Sequence, residues 1–426
     1  MAYLFLLVYI VFLCKNFKWT VIITGPLAFI FHTQFYLIPE KITFFSTLTI
    51  ISFFYYVFLK KHKYPLDKNN PLKSCMLFYL LFMFIHGFYP TYHPYVIFFV
   101  NSFPRILFWF LWYSVIKTNE DLKLVVKVFL FCVYFIIGNG LIELIFKINP
   151  IGNLMINLSG FDFISENTTM RFGFSRITSL YPHGTSLGSA CTLILYLLSY
   201  LFLQQKECIS KINKNSIILA ISFLLLGIIL SNSRTPLFGL ILVLPFLINK
   251  RLLSGKSGML LLCCTIIFLF IFYDYIEYMY DITFHENKYD AEGSSSDLRK
   301  AQFGVAYKVM SEYPIFGAGS DYDPLKYFAR EDVLGMESVW FPMMYKSGLL
   351  GIISYVFIFW ITFWKSIKKG DLTKYLFGFT FLWLVMNTLS SLPGIYIENY
   401  IMIVLFMYKV QKYNTIHFVT KYSMKI

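Results

Sequence analysis

Thirteen apolar runs, most of them near membrane-spanning length, leave this chain few ways to fold. They fall near residues 2–14, 19–38, 42–59, 74–89, 94–116, 124–146, 183–203, 215–231, 235–249, 257–275, 338–364, 375–391 and 395–408. A helix needs roughly 20 apolar residues to cross the hydrocarbon core of a bilayer. In lipid the backbone must satisfy its own hydrogen bonds, which leaves helices or closed barrels. These runs are too long and continuous for the roughly 10-residue alternating strands of a barrel. Only 14% of the residues are charged, against about 25% in a soluble domain. The expectation is an all-α, polytopic integral membrane bundle. It would form one transmembrane domain over residues 1–426 with about 12–13 transmembrane helices. The first run is short, which leaves the side of the N-terminus open. Met1–Cys14 lacks a basic n-region and does not read as a secretory signal peptide.

The links between the runs orient the bundle. Lysines gather in alternate links, at 15/18, 60–73, 117–127, 206–214, 250–256, 365–374 and 409–425. By the positive-inside rule these links are cytoplasmic. The C-terminus is then inside, and two long loops face outward, a smaller one at 147–182 and a large one at 276–337. The net charge of +14 is therefore a topology signal, and nucleic acid is not expected as a partner. The seven cysteines avoid both outer loops, so disulfides, bound metal and redox cofactors are not expected.

Arginine segregates the other way. Only Arg251 lies in a lysine-rich link; Arg105, Arg171, Arg176, Arg234, Arg299 and Arg330 lie outside or in the outer halves of runs. A guanidinium presents a planar fork that matches phosphate or carboxylate oxygens in pairs. Arginines gathered on one face suggest a bound anion there.

Each candidate has a plainer alternative. Arg234 stands in Ser231-Asn232-Ser233-Arg234-Thr235-Pro236, at a junction between two runs. Pro236 fits the first turn of the following helix, with Ser233 or Thr235 as its cap. At membrane depth a charge is costly and is usually paired or functional; the alternative is a snorkelling side chain. Arg105 lies deeper, where it would contact a ligand or pair with Glu143 or Glu398. Arg171 and Arg176 close the smaller loop, and His183 follows at the mouth of the next run, either as a hydrogen-bonding interface residue or as a base. Residues 297–312 read as an amphipathic helix with Leu298, Ala301, Val305 and Val309 on one face. Arg299 and Lys300 occupy its first turn, the unfavourable end for cations, which an anion or plain solvent would relieve. Glu337 would either cap the next helix or act as a general base.

Four segments together resemble the O-antigen polymerase and ligase superfamily of bacterial envelopes. They are the Ser-x-Ser-Arg junction at 231–234, the segment Arg176 through Gly188 with Tyr181-Pro182-His183-Gly184, the turn Tyr313-Pro314-Ile315-Phe316-Gly317-Ala318-Gly319, and Glu337-Ser338 with Tyr345 through Gly351. The resemblance covers about residues 120–410. It implies a glycosyltransferase of GT-C-like architecture in the bacterial cytoplasmic membrane, with a large extracytoplasmic loop. The substrates it implies are polyprenyl-diphosphate-linked oligosaccharide repeat units, joined into O-antigen, capsular or exopolysaccharide by a metal-independent, inverting displacement. Membrane lipid, a chain-length regulator and a flippase are the implied partners. On this basis Arg234 and Arg176 are expected at the diphosphate, with Arg105, Arg299 and Arg171 assisting, and Glu337 or His183 as the base. Ligases of the superfamily often carry a histidine where Met336-Glu337 stands here, which leans toward polymerase. The rivals are a ligase and a flippase of lipid-linked sugars. A flippase would need a polar path through the bilayer centre and often shows internal repeats, and neither is evident.

Overall fold

The computed structural model describes residues 2–30, 36–38, 42–86, 103–153, 170–171, 174–181, 183–203, 212, 214–247, 296–319, 322, 338–367, 371–390 and 397–423. Thirteen α-helices dominate these residues: α1 Ala2–Lys15, α2 Phe17–Leu27, α3 Phe44–Tyr55, α4 Lys73–His86, α5 Phe103–Val115, α6 Asn119–Phe146, α7 Gly184–Leu203, α8 Lys214–Leu230, α9 Arg234–Leu247, α10 Ser296–Glu312, α11 Trp340–Ser366, α12 Asp371–Leu389 and α13 Ile397–Ser423. Each apolar run outside 257–275, which lies beyond the described residues, carries one of them. Helices α6, α7 and α11 are long and apolar enough to cross a membrane by length and composition. The chain is a helical membrane protein. Its outer surface agrees, since Leu4, Leu7, Phe58, Trp360 and Trp364 are all more than half exposed, which water would penalise and lipid would not.

One run differs from expectation. The stretch 19–38 is not a single helix, because α2 stops at Leu27, just past Pro26. A short antiparallel hairpin follows, β1 Tyr36–Ile38 paired with β2 Ile42–Thr43. Thr43 then caps α3 by accepting the Ser46 N–H at 3.1 Å. A second small hairpin joins β3 Met170–Arg171 to β4 Phe174–Ser175 in the smaller loop.

Two ends of the bundle can be traced through named contacts. At the lysine-rich end, Thr118 and Asp121 form a capping box at the start of α6, and Lys18 of α2 reaches Asp121 at 2.7 Å. Also there, Lys409 of α13 pairs with Asp67 at 3.3 Å, and the Asp67 N–H donates to the Ser114 hydroxyl of α5 at 2.7 Å. Helix α6 runs from this end to the opposite one, where buried Glu143 accepts the Thr178 and Ser179 N–H groups at 3.1 and 2.6 Å. Asn149 adds a bond to the Ser179 carbonyl at 2.5 Å. Glu143 thus fixes the end of the smaller loop rather than pairing with Arg105.

The large loop is docked at the same end, by backbone. Helix α11 is broken at Gly348, where φ is 61°. A break frees carbonyls before it and N–H groups behind it, and unpaired groups of either kind are costly in lipid. The turn after α10 takes two of each. Ala318 and Gly319 donate to the carbonyls of Tyr345 and Lys346 at 2.7 and 3.1 Å, while Leu349 and Leu350 donate to those of Pro314 and Ile315 at 2.9 and 3.1 Å. The approach needs glycine on both sides: Gly317 has a φ of 72° and a Cβ there would lie 2.3 Å from the Lys346 carbonyl carbon, while one on Gly348 would lie 2.6 Å from the Gly317 nitrogen. The described part of the large loop is therefore a fixed platform.

Candidate functional site

The amphipathic helix expected at 297–312 is α10, within a residue of the expected start. Its buried face is rotated from the expected one: Gln302, Val305, Ala306 and Val309 are buried, and Ala306 and Val309 pack on Tyr345 of α11. Phe303 and Tyr307 stack on each other, 49% and 60% exposed. Arg299 in its first turn donates to the Leu389 carbonyl at the C-terminus of α12 at 2.9 Å. A cation is unfavourable at the start of its own helix but favourable at the end of another, so α12 supplies the negative end that α10 lacks. The neighbouring Val339 N–H and Trp340 indole reach the Asn387 carbonyl and the Thr388 hydroxyl at 3.0 and 2.9 Å.

Arg105 is buried beside the N-terminus of α3. It donates to the Ser46 hydroxyl at 2.9 Å and pairs with Glu398 of α13 at 3.5 Å. Of the two carboxylates weighed for it, Glu398 is the partner. Helices α5 and α13 run in the same direction from this pair to the Asp67–Lys409 contact, so Arg105 and Glu143 lie toward the same end of the bundle.

The densest polar junction lies where the smaller loop meets α7, α8 and α9. The Ile177 N–H donates to the Leu230 carbonyl at the end of α8 at 3.2 Å. This lays the 176–178 segment beside the Ser231-Asn232-Ser233 turn, in which Asn232 takes a positive φ of 47°. Arg176, 7% exposed, fills the corner. Its Nε donates to the Ser231 carbonyl at 3.1 Å and its Nη2 to the Thr185 hydroxyl at 2.9 Å. Thr185 Oγ1 also accepts the Ser233 hydroxyl at 3.0 Å. The Ser233 hydroxyl hydrogen is thus spent on α7. The N-termini of α7 and α9 meet at this bond.

Small residues permit the approach. A Cβ on Gly184 would lie 2.5 Å from Arg176 Nε and 2.7 Å from the Ser231 carbonyl oxygen. One on Gly188 would lie 2.5 Å from Ser231 Oγ and 2.7 Å from Pro236. Gly184-x-x-x-Gly188 is the small-residue spacing that lets helices close up in membranes. Arg234 is the first residue of α9, half-buried at this junction. Two helix N-termini and two arginines thus meet in one place, and both features favour negative charge.

His183 contributes less as a base than its position suggests. Its Nδ1 accepts the Thr185 N–H at 3.2 Å and lies 3.3 Å from Arg176 Nη2. Its Nε2 lies 3.5 Å from Arg176 Nη1, so both ring nitrogens face the same guanidinium, a group that only donates. In this arrangement it is an orienting acceptor. Arg171 is placed by its backbone, in β3. Glu337 lies outside the described residues.

Comparison with known proteins bears on this junction. Residues 219–356 match the family model described as O-antigen ligase. That segment belongs to the O-antigen ligase and polymerase superfamily. It holds the Ser231–Arg234 turn, α9, α10, the Pro314–Gly319 turn and the break in α11; Arg176 and α7 precede it. Comparison with curated proteins gave no match. Of the residues expected at the site, the fold brings Arg176, His183 and Arg234 together and places Arg105 and Arg299 on partners of their own. The contributions of Thr185 and the Ser231 carbonyl had no sequence signal beyond lying next to the motif residues.

Proposed function

We propose that this protein is a glycosyltransferase that polymerises polyprenyl-diphosphate-linked oligosaccharide repeat units at the outer face of the bacterial cytoplasmic membrane. The observation that carries the reading is the Ser233–Thr185 junction. It sets the positive ends of α7 and α9 beside Arg234, at the end of the bundle opposite the lysine-rich links. A diphosphate is an anion of the right charge and reach for such a site. The α10 platform lies toward the same end.

The chemistry follows from the leaving group. An acceptor hydroxyl oxygen attacks the anomeric carbon of the donor sugar. The bond from that carbon to the diphosphate oxygen breaks, the electron pair leaves with the diphosphate, and configuration inverts. The hydroxyl proton passes to a base, the role proposed for Glu337. The protein mainly positions the two substrates and stabilises the charge growing on the diphosphate. Fixed donors in a water-poor site suit that task, and no metal is required by this scheme.

Transfer of a finished glycan to a different acceptor is a second reading, favoured by the description of the matched family as O-antigen ligase. The length distribution of surface glycan in a deletion strain separates the two. Single lipid-linked repeats accumulating without polymer support the polymerase. Full-length polymer retained on its lipid carrier supports the ligase. No repeat reaching the outer face would overturn both in favour of a flippase.

A further inference from the structure

Resting on the diphosphate reading above, we infer that Arg176 is a positioning residue that acts through Arg234 rather than a ligand of the substrate. Its guanidinium is spent inside the protein. Nε goes to the Ser231 carbonyl, Nη2 to Thr185 Oγ1, and both Nη atoms lie within 3.5 Å of the His183 ring. The side chain is 7% exposed. An arginine presents five N–H donors in a fixed fork, and these contacts draw on every nitrogen of it.

What Arg176 holds is informative. Ser231 begins the turn that ends in Arg234, and Thr185 lies in the first turn of α7. Arg176 therefore ties the start of one helix to the turn that starts the other, and Ser233–Thr185 closes the loop between them. A residue clamped in this way sets the angle between α7 and α9. That angle sets where Arg234 and the first N–H groups of each helix point. A direct ligand would have to leave three partners to reach a phosphate, and each partner would then lose a charge-assisted bond. Gly184 belongs to the same device, because any side chain there would occupy the space of Arg176 Nε and the Ser231 carbonyl.

The dependence of Arg176 on Arg234 can be measured as a double-mutant cycle. Full-length protein in nanodiscs is titrated with a short-chain polyprenyl diphosphate, and donor KM and kcat are measured on the same samples. Arg234→Ala is expected to weaken binding about tenfold or more, the scale of one charge-assisted contact. Arg176→Ala alone is expected to weaken binding and lower kcat. In the Arg234→Ala background it should leave binding unchanged within about twofold. Thr185→Val, a milder change that leaves both arginines in place, should reproduce part of the Arg176→Ala loss and cost less in the Arg176→Ala background, where only the Ser233 bond is left to lose. Losses that multiply in the Arg176/Arg234 double variant would overturn the inference and make Arg176 a second ligand. Thr185→Val that binds as wild type would overturn it as well. If Arg234→Ala itself binds as wild type, the diphosphate reading fails first, and the positioning inference falls with it.

Discussion

Two buried arginines sit toward the same end of this bundle, each beside a helix N-terminus, and they are held in opposite ways. Arg105 pairs with the carboxylate of Glu398. Arg176 contacts a carbonyl, a hydroxyl and an imidazole. A carboxylate cancels a guanidinium's charge as well as orienting it; neutral acceptors orient without cancelling. The Arg105 site is thus an electrically closed strut between α3, α5 and α13. The described contacts of Arg176 are with neutral acceptors, which orient its guanidinium at the meeting of α7 and α9. Burial and residue type alone do not distinguish the two, but the partner does.

The largest expected effect lies on the closed side. Arg105→Ala strands the Glu398 carboxylate, and breaking a buried pair in this way costs about 3–5 kcal/mol. Thermal unfolding of detergent-purified protein would register it, as would lower abundance in membranes. A smaller change is expected from Arg105→Met combined with Glu398→Leu, which removes both charges together. Replacing a buried pair by apolar residues is often neutral or stabilising, so the double variant should recover most of the loss and polymerise normally. A double variant that is stable but inactive would move Arg105 into the substrate site and erase the contrast with Arg176.

The smallest expected effect comes from the lysine-rich end, where the closed arrangement recurs. Partial burial of Asp67 disfavours its ionised form, but the Asn69 N–H and the nearby Lys409 and Lys412 outweigh that and hold its carboxyl below the usual value. A depressed carboxylate stabilises the fold above its unfolded pKa, and that contribution fades as pH falls through the folded one. The window therefore lies below about pH 4. Asp67→Asn should lower stability by about 1 kcal/mol at neutral pH, as for other partly exposed pairs. It should also flatten the acid limb of a melting-temperature-against-pH curve. An acid limb identical to wild type would mean that this contact is not coupled to folding.

Much of the fold was legible because hydrophobic run length is a local property. The helix at 296–312 begins one residue before its expected start, and Pro236 does stand in the first turn of α9. What could not be read depends on contacts distant in sequence. Asp67 and Lys409 are 342 residues apart, and nothing local marks the pairing. The break in α11 needs a partner turn 30 residues earlier to accept its freed backbone groups, so Gly348 alone reads as an ordinary small residue in an apolar run. The end of α2 was missed because Tyr36-Leu37-Ile38 is as apolar as a helix and forms a strand instead. At the site, the motifs around Arg176 and Arg234 marked where to look. Their geometry shows that Ser233 binds α7 and that the Nδ1 lone pair of His183 is already engaged, and neither follows from spacing.

The most direct measurement is binding of a short polyprenyl diphosphate to protein in nanodiscs, comparing wild type with Arg234→Ala and with the Arg105→Met/Glu398→Leu double variant. A diphosphate site between α7 and α9 predicts about tenfold or greater weakening for Arg234→Ala and wild-type affinity for the double variant. Equal affinity in wild type and Arg234→Ala, or a loss confined to the Arg105 and Glu398 variant, would contradict it.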